Sequence, residues 1–83
     1  MADEVFLRHG VPGEREGVRY IVRRVRAPKE LPVSVALVVV ADGEQHYDLG
    51  IGDTFPVRDE TWVLDRVENL PRPDWWVVLR KIA

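Results

Sequence analysis

The sequence predicts an all-β domain, a small antiparallel sandwich or partly open barrel of six to seven short strands. Three observations predict it. Fifteen Val, three Trp, two Tyr and two Phe stand against only five Ala, a balance that suits strands over helices. Gly and Pro punctuate the chain every few residues, and no stretch of helical length repeats apolar residues at three-and-four spacing. An Asp42-Gly43 pair between two strand-like runs marks a hairpin. At 83 residues and 9.6 kDa the chain makes one domain, residues 1–83, with room for one small core and a shallow groove.

Read in order, Val5 to Arg8 is a short first strand, and Gly10-Val11-Pro12-Gly13 through Gly17 is a loop. Val18 to Arg26 is a second strand, followed by a Pro-bracketed connection from Ala27 to Pro32. Val33 to Val40 and Glu44 to Ile51 make one hairpin; Thr54 to Arg58 and Thr61 to Val67 make another. Trp75 to Ile82 closes the chain after the Pro71-Arg72-Pro73-Asp74 corner. Short strands at this spacing suit a small sandwich or barrel.

The central hairpin fixes its own register. A two-residue Asp42-Gly43 turn would mix apolar and polar side chains on one face. A three-residue loop, Ala41-Asp42-Gly43, pairs Val40 with Glu44 and places Gly43 in a left-handed bulge position. Val35, Leu37 and Val39 then share a face with Leu49, Tyr47 and Gln45, while Ala36 and Val38 share the other with Asp48 and His46. Because a one-residue slip flips every side chain, this register is the expected one. In the second strand, Tyr20 and Val22 point inward only if Val25 lands on the wrong face. A bulge near Arg23-Arg24 restores it. Pro56 removes one ladder donor, so Thr54 to Arg58 belongs at a sheet edge. The expected core is Val35, Leu37, Val39, Tyr47, Leu49, Phe55, Trp62, Leu64 and Leu79.

Composition excludes several functions. With no cysteine there is no disulfide framework, thiol nucleophile or thiolate metal site. A net charge of −2 and a pI near 5.6 argue against nucleic-acid binding through bulk charge. Ten Arg against two Lys follow GC-rich codons. The start, Met1-Ala2-Asp3-Glu4, is acidic and not followed by a signal-like apolar stretch. The longest apolar run, Val35 to Ala41, is far short of the roughly 20 residues that span a bilayer. The expectation is a soluble, cytoplasmic chain with no membrane contact.

No constellation for catalysis, metal or cofactor emerges. Ser34, the single serine, has no His or acid at a motif spacing. Glu44, His46 and Asp48 line one strand face, which reads as a hydrated surface, since a metal site needs three or four fixed ligands. Asp53 and the Asp59-Glu60 pair read as turn residues bonding the local backbone. Gly10, Gly13 and Gly17 lack the following helix and Gly-Lys-Ser/Thr ending of a phosphate loop.

Two features invite a partner. Leu79 is inward, which sends Trp75 and Val77 inward and Trp76, Val78 and Arg80 outward. Together with Val38, the outer positions Trp76 and Val78 suggest a non-catalytic binding or accessory module acting through protein contact, because interfaces are enriched in Trp. The competing role for Trp76 is cover by the loop around Pro71 and Pro73. Trp76 and Val78, extended by Val38 and Ala36 if the strands share a sheet, suggest a weak homodimer. The alternative is single-stranded nucleic acid held along Arg19, Arg23, Arg24, Arg26 and Lys29. Edge protection and ion pairing explain that basic strand without any ligand.

The segments Leu49-Gly50-Ile51-Gly52-Asp53-Thr54-Phe55-Pro56-Val57 and Glu60 to Asn69, then Asp74 to Arg80, resemble a family of short actinobacterial proteins. So does the opening Leu7-Arg8-His9-Gly10-Val11. The Gly-Asp-Thr-Phe and Glu-Thr-Trp segments are the most specific parts. The family is uncharacterised, so the resemblance implies an origin and supports the domain limits, and it carries no functional residue.

Overall fold

Side chains alternate between buried and exposed along Glu4–Arg8, the pattern of a strand with one face against a core. The computed structural model describes residues 3–8, 10–26, 32–69 and 74–83, and eight strands follow this logic. They are β1 (Glu4–Arg8), β2 (Gly13–Arg15), β3 (Val18–Arg26), β4 (Ser34–Val40), β5 (Glu44–Gly50), β6 (Thr54–Val57), β7 (Glu60–Glu68) and β8 (Trp76–Lys81). One antiparallel sheet has the order β1-β8-β7-β6 and the other β2-β3-β4-β5. Within each sheet consecutive strands lie side by side, the chain changes sheet after β1 and after β5, and β8 returns to pair with β1. The result is two facing antiparallel sheets, the arrangement of a small sandwich or partly open barrel.

The β4–β5 hairpin has the expected register, with Val40 opposite Glu44 and Val35 opposite Leu49. Gly43 takes φ 146°, a positive value that favours glycine, although more extended than a left-handed bulge. The β3 bulge falls between Val22 and Arg24, which turns Val25 back toward Val35. A second bulge, between Leu64 and Arg66, leaves Asp65 without a ladder partner. Strand β6, with Pro56 opposite Thr61, is an edge.

Strand β2 corrects the reading of Gly10 to Gly17 as loop throughout. Arg15 pairs with Val18 across a two-residue turn in which Glu16 and Gly17 both have positive φ, 51° and 78°. Such a turn matches the twist of a hairpin, but Glu at its first position hides it in the sequence. Packing favours Gly13: a Cβ there would collide with Leu7 Cδ2 and force that core side chain to shift. The Ala27 to Pro32 connection lies outside the described residues up to Leu31.

Both inner faces supply the core, with Leu7, Leu37, Trp62, Leu64 and Leu79 at 1% exposure or less. Each expected core residue is buried except Tyr47, which is half-buried. Tyr47 lies on the edge strand β5, its ring 5.5 Å from Phe55 and its hydroxyl donating to the Pro56 carbonyl at 3.5 Å. It thus spans the gap between the two sheet edges. At one end Arg58, itself at φ 55°, donates to the Glu16 carbonyl at 3.2 Å and pairs with Asp42 at 3.5 Å. Three hairpin tips are tied together there.

Candidate functional site

The outer face of the β1-β8-β7-β6 sheet is covered by charge. Cross-strand pairing sets Val78 between Phe6 on β1 and Arg66 on β7. Arg66 reaches over β8 to Glu4 on β1 (3.7 Å) while also pairing with Glu68 (2.6 Å) and Asp65. Asp65, freed by the bulge, pairs with Arg80 at 3.2 Å. Surface pairs of this kind contribute little singly, but the long Arg66 stem covers apolar surface beneath it. Val78 is therefore 0% exposed. Its expected place on an accessible contact surface is corrected: the side chain points away from the core and is still sealed from water.

Trp76 is half-buried and stays partly open. Phe6, 49% exposed, meets it edge to face with ring centroids 6.3 Å apart, and the Arg8 guanidinium lies 4.7 Å over its ring. Sequence reasoning found Trp76 and missed Phe6 and Arg8. The signal was present in the alternation of Phe6 and Arg8 with buried Val5 and Leu7. The expected cover by Pro71 and Pro73 lies outside the described residues.

Val38 needs the same correction. It is 4% exposed, flanked in the ladder by Ile21 on β3 and His46 on β5. It also belongs to the other sheet, so Val38, Val78 and Trp76 form no continuous patch. Ala36 lies with Val38, and the dimer patch joining it to Trp76 does not exist.

On β3, Arg19 pairs loosely with Glu14 at 3.9 Å. Arg23, Arg24 and Arg26 are exposed and make no ion pair with another described residue. Lys29 lies outside the described residues. Because β2 covers only Val18 to Tyr20, the Ile21 to Arg26 stretch is a sheet edge, the setting in which charge also prevents aggregation.

Three further polar groups have local explanations. His46 Nε2 is 2.8 Å from Glu44 Oε2, and no group of three potential ligands able to hold a metal ion occurs among the described residues. Asp53 accepts from the Gly50 N–H at 2.8 Å, as a turn residue should. Glu60 opens β7 instead of belonging to the turn. Its carboxylate accepts from Trp62 Nε1 (3.1 Å) and pairs with Lys81 (3.1 Å), which hold it below the usual glutamate range. Residues two apart on a strand share a face, so Glu60-Thr61-Trp62 carried that signal.

Tyr20 is 1% exposed, and burial, reinforced by the Glu60 charge, pushes its phenol up to about 12. The fold favours the neutral phenol. This contribution is complete below the ordinary tyrosine value of 10.0 and is lost as pH rises toward about 12. Chemical denaturation of wild type should show stability falling across that window more steeply than in Tyr20→Phe. Parallel curves for the two proteins would remove Tyr20 as the titrating group.

Among the described residues no helix is long and apolar enough to cross a membrane. No curated protein and no solved structure matches the chain. A family model described only as a family of unknown function matches residues 2–83. That is nearly the whole chain, and the protein belongs to this family, DUF6406.

Proposed function

We propose that the protein is a non-catalytic binding module acting through protein contact, with Phe6, Arg8 and Trp76 as its anchor. One observation carries this reading: an exposed Phe packed edge to face on a half-buried Trp, with an Arg stacked on the Trp ring. Aromatic residues and Arg are the side chains most enriched where binding energy concentrates. Val11, 56% exposed and bridged to Arg8, extends the surface with apolar area. Nucleic acid suits the molecule less well. The arginines of β3 share their face with Glu44 and Asp48, while Phe6 and Trp76, which would stack bases, sit on the other sheet. The Arg-rich, Lys-poor composition supports an origin in a high-GC bacterium; the motif resemblance supports an actinobacterium, in whose cytoplasm we place the protein.

A photoreactive phenylalanine analogue at position 6 tests the proposal in the native cell. The expected result is one discrete adduct, absent when the analogue replaces Glu44 instead. Trp76→Ala or Arg8→Ala should weaken that contact by about 2 kcal/mol, roughly 30-fold. Equal labelling from both positions would overturn the reading. An adduct at twice the 9.6 kDa chain mass would reassign the surface to self-association.

A further inference from the structure

We propose that a depression on the outer face of the β2-β3-β4-β5 sheet binds a small phosphomonoester whose other end carries hydroxyl or amino donors. The proposal is independent of the contact surface around Trp76. The depression follows from side-chain size. Strand pairing sets Arg26, Ser34 and Gly50 in one row and Arg24, Ala36 and Asp48 in the next. Small residues therefore floor the middle of the face, and long charged ones rise at its sides. The space holds about 280 Å³ and is lined by Arg24, Arg26, Ser34, Ala36 and Asp48. An adjoining space of about 270 Å³ shares Arg24, Ala36 and Asp48 and adds Arg23 and His46.

The two walls differ in chemistry. Arg24 and Arg26 are two residues apart on one face, about 6.6 Å along the strand, and each offers a planar fork of N–H donors that matches a phosphate. Ser34, directly opposite Arg26, adds a hydroxyl. Asp48 lies across the Ala36 floor, roughly 9–10 Å from the arginine strand. As an acceptor only, it repels a phosphate and takes donors.

That separation is within arginine reach, because Arg66 crosses the same two-strand span over β8 to Glu4 at 3.7 Å. Arg24 makes no such pair with Asp48. The opposite charges stay apart over an open floor, and a ligand with an anion at one end and donors at the other satisfies both. The volume sits at the low end of small-molecule sites, which suits a sugar phosphate or a nucleoside monophosphate.

Isotope-labelled protein titrated at low salt with inorganic phosphate, a hexose 6-phosphate, a nucleoside 5′-monophosphate and a phosphate-free hexose tests this. The expected result is amide shifts centred on Arg24, Arg26, Ser34 and Asp48, with an ester binding about tenfold tighter than inorganic phosphate. The tighter of the two esters identifies the source. Arg26→Ala should remove binding of phosphate and ester alike. Asp48→Asn should remove the tenfold preference for the ester while leaving inorganic phosphate bound at least as tightly, and Arg19→Ala should change neither. Equal binding of ester and inorganic phosphate, an unaltered preference in Asp48→Asn, or shifts scattered over both sheets would overturn the proposal. So would a parallel titration with oligonucleotides of increasing length in which affinity climbs with length, which belongs to a strand of nucleic acid instead.

Discussion

Replacing Trp62 by alanine should cost about 3 to 5 kcal/mol, the range for deleting a buried aromatic side chain. Trp62 is 1% exposed and packs its ring 5.8 Å from Tyr20 of the opposite sheet. Its Nε1 donates to Glu60 at 3.1 Å, and the Arg15 guanidinium lies 5.6 Å from its ring centroid. The substitution therefore opens a cavity between the sheets and removes the partner that helps hold the Glu60 carboxylate. Against a total stability of roughly 5 to 15 kcal/mol, that is a large fraction. The melting temperature should drop by roughly 12 to 40 °C. Trp62→Phe keeps most of the burial and loses mainly the hydrogen bond, at a smaller cost of about 1 to 2 kcal/mol. An alanine variant melting within a few degrees of wild type would show that Trp62 does not join the sheets.

Val78→Ser should destabilise by about 3 kcal/mol, although the residue faces away from the core. The loss combines apolar burial, about 0.8 kcal/mol for each buried carbon group removed, with a hydroxyl placed where water does not reach, about 1 to 3 kcal/mol. The closed surface depends on Arg66 lying across β8. In an Arg66→Ala background the same Val78→Ser change should be milder, and a double-mutant cycle reads the difference as coupling. A cost under about 0.5 kcal/mol for Val78→Ser in the wild-type background is the surface value. It would restore Val78 to the exposed surface that alternation alone suggests.

The contrast between these two sites shows where the sequence was readable. Trp62, Leu64 and Leu79 were legible because period-two alternation and β-branched content assign each strand an inner face without further knowledge. The Ala41-Asp42-Gly43 loop and the Val22/Arg24 bulge were legible because each was the one arrangement that kept a hydrophobic face continuous. Strand β2 was not, since its turn uses Glu16 at a positive φ that the residue type does not advertise. Tyr47 was placed on the right face, but edge position, a property of strand order, left it half-buried.

The candidate sites were less legible than the fold. Trp76 could be singled out from its adjacency to Trp75, but its partners Phe6 and Arg8 arrive from the far end of the chain when β1 pairs with β8. Arg24 and Arg26 stood out as charge. Their relation to Ser34 and Asp48 arises only from the register of three strands.

The sequence by itself determined the all-β class, seven of the eight strands, the register of the central hairpin and the inward side chains at its core. These depend on short-range alternation and turn chemistry, which act within a few residues. Tertiary structure alone decided which outward side chains water reaches. Val38 and Val78 face outward, as alternation requires, yet neighbouring strands and the Arg66 span seal them, while Phe6 remains open. Burial on an outer face depends on how far a side chain two strands away extends, and no local pattern in the chain encodes that distance.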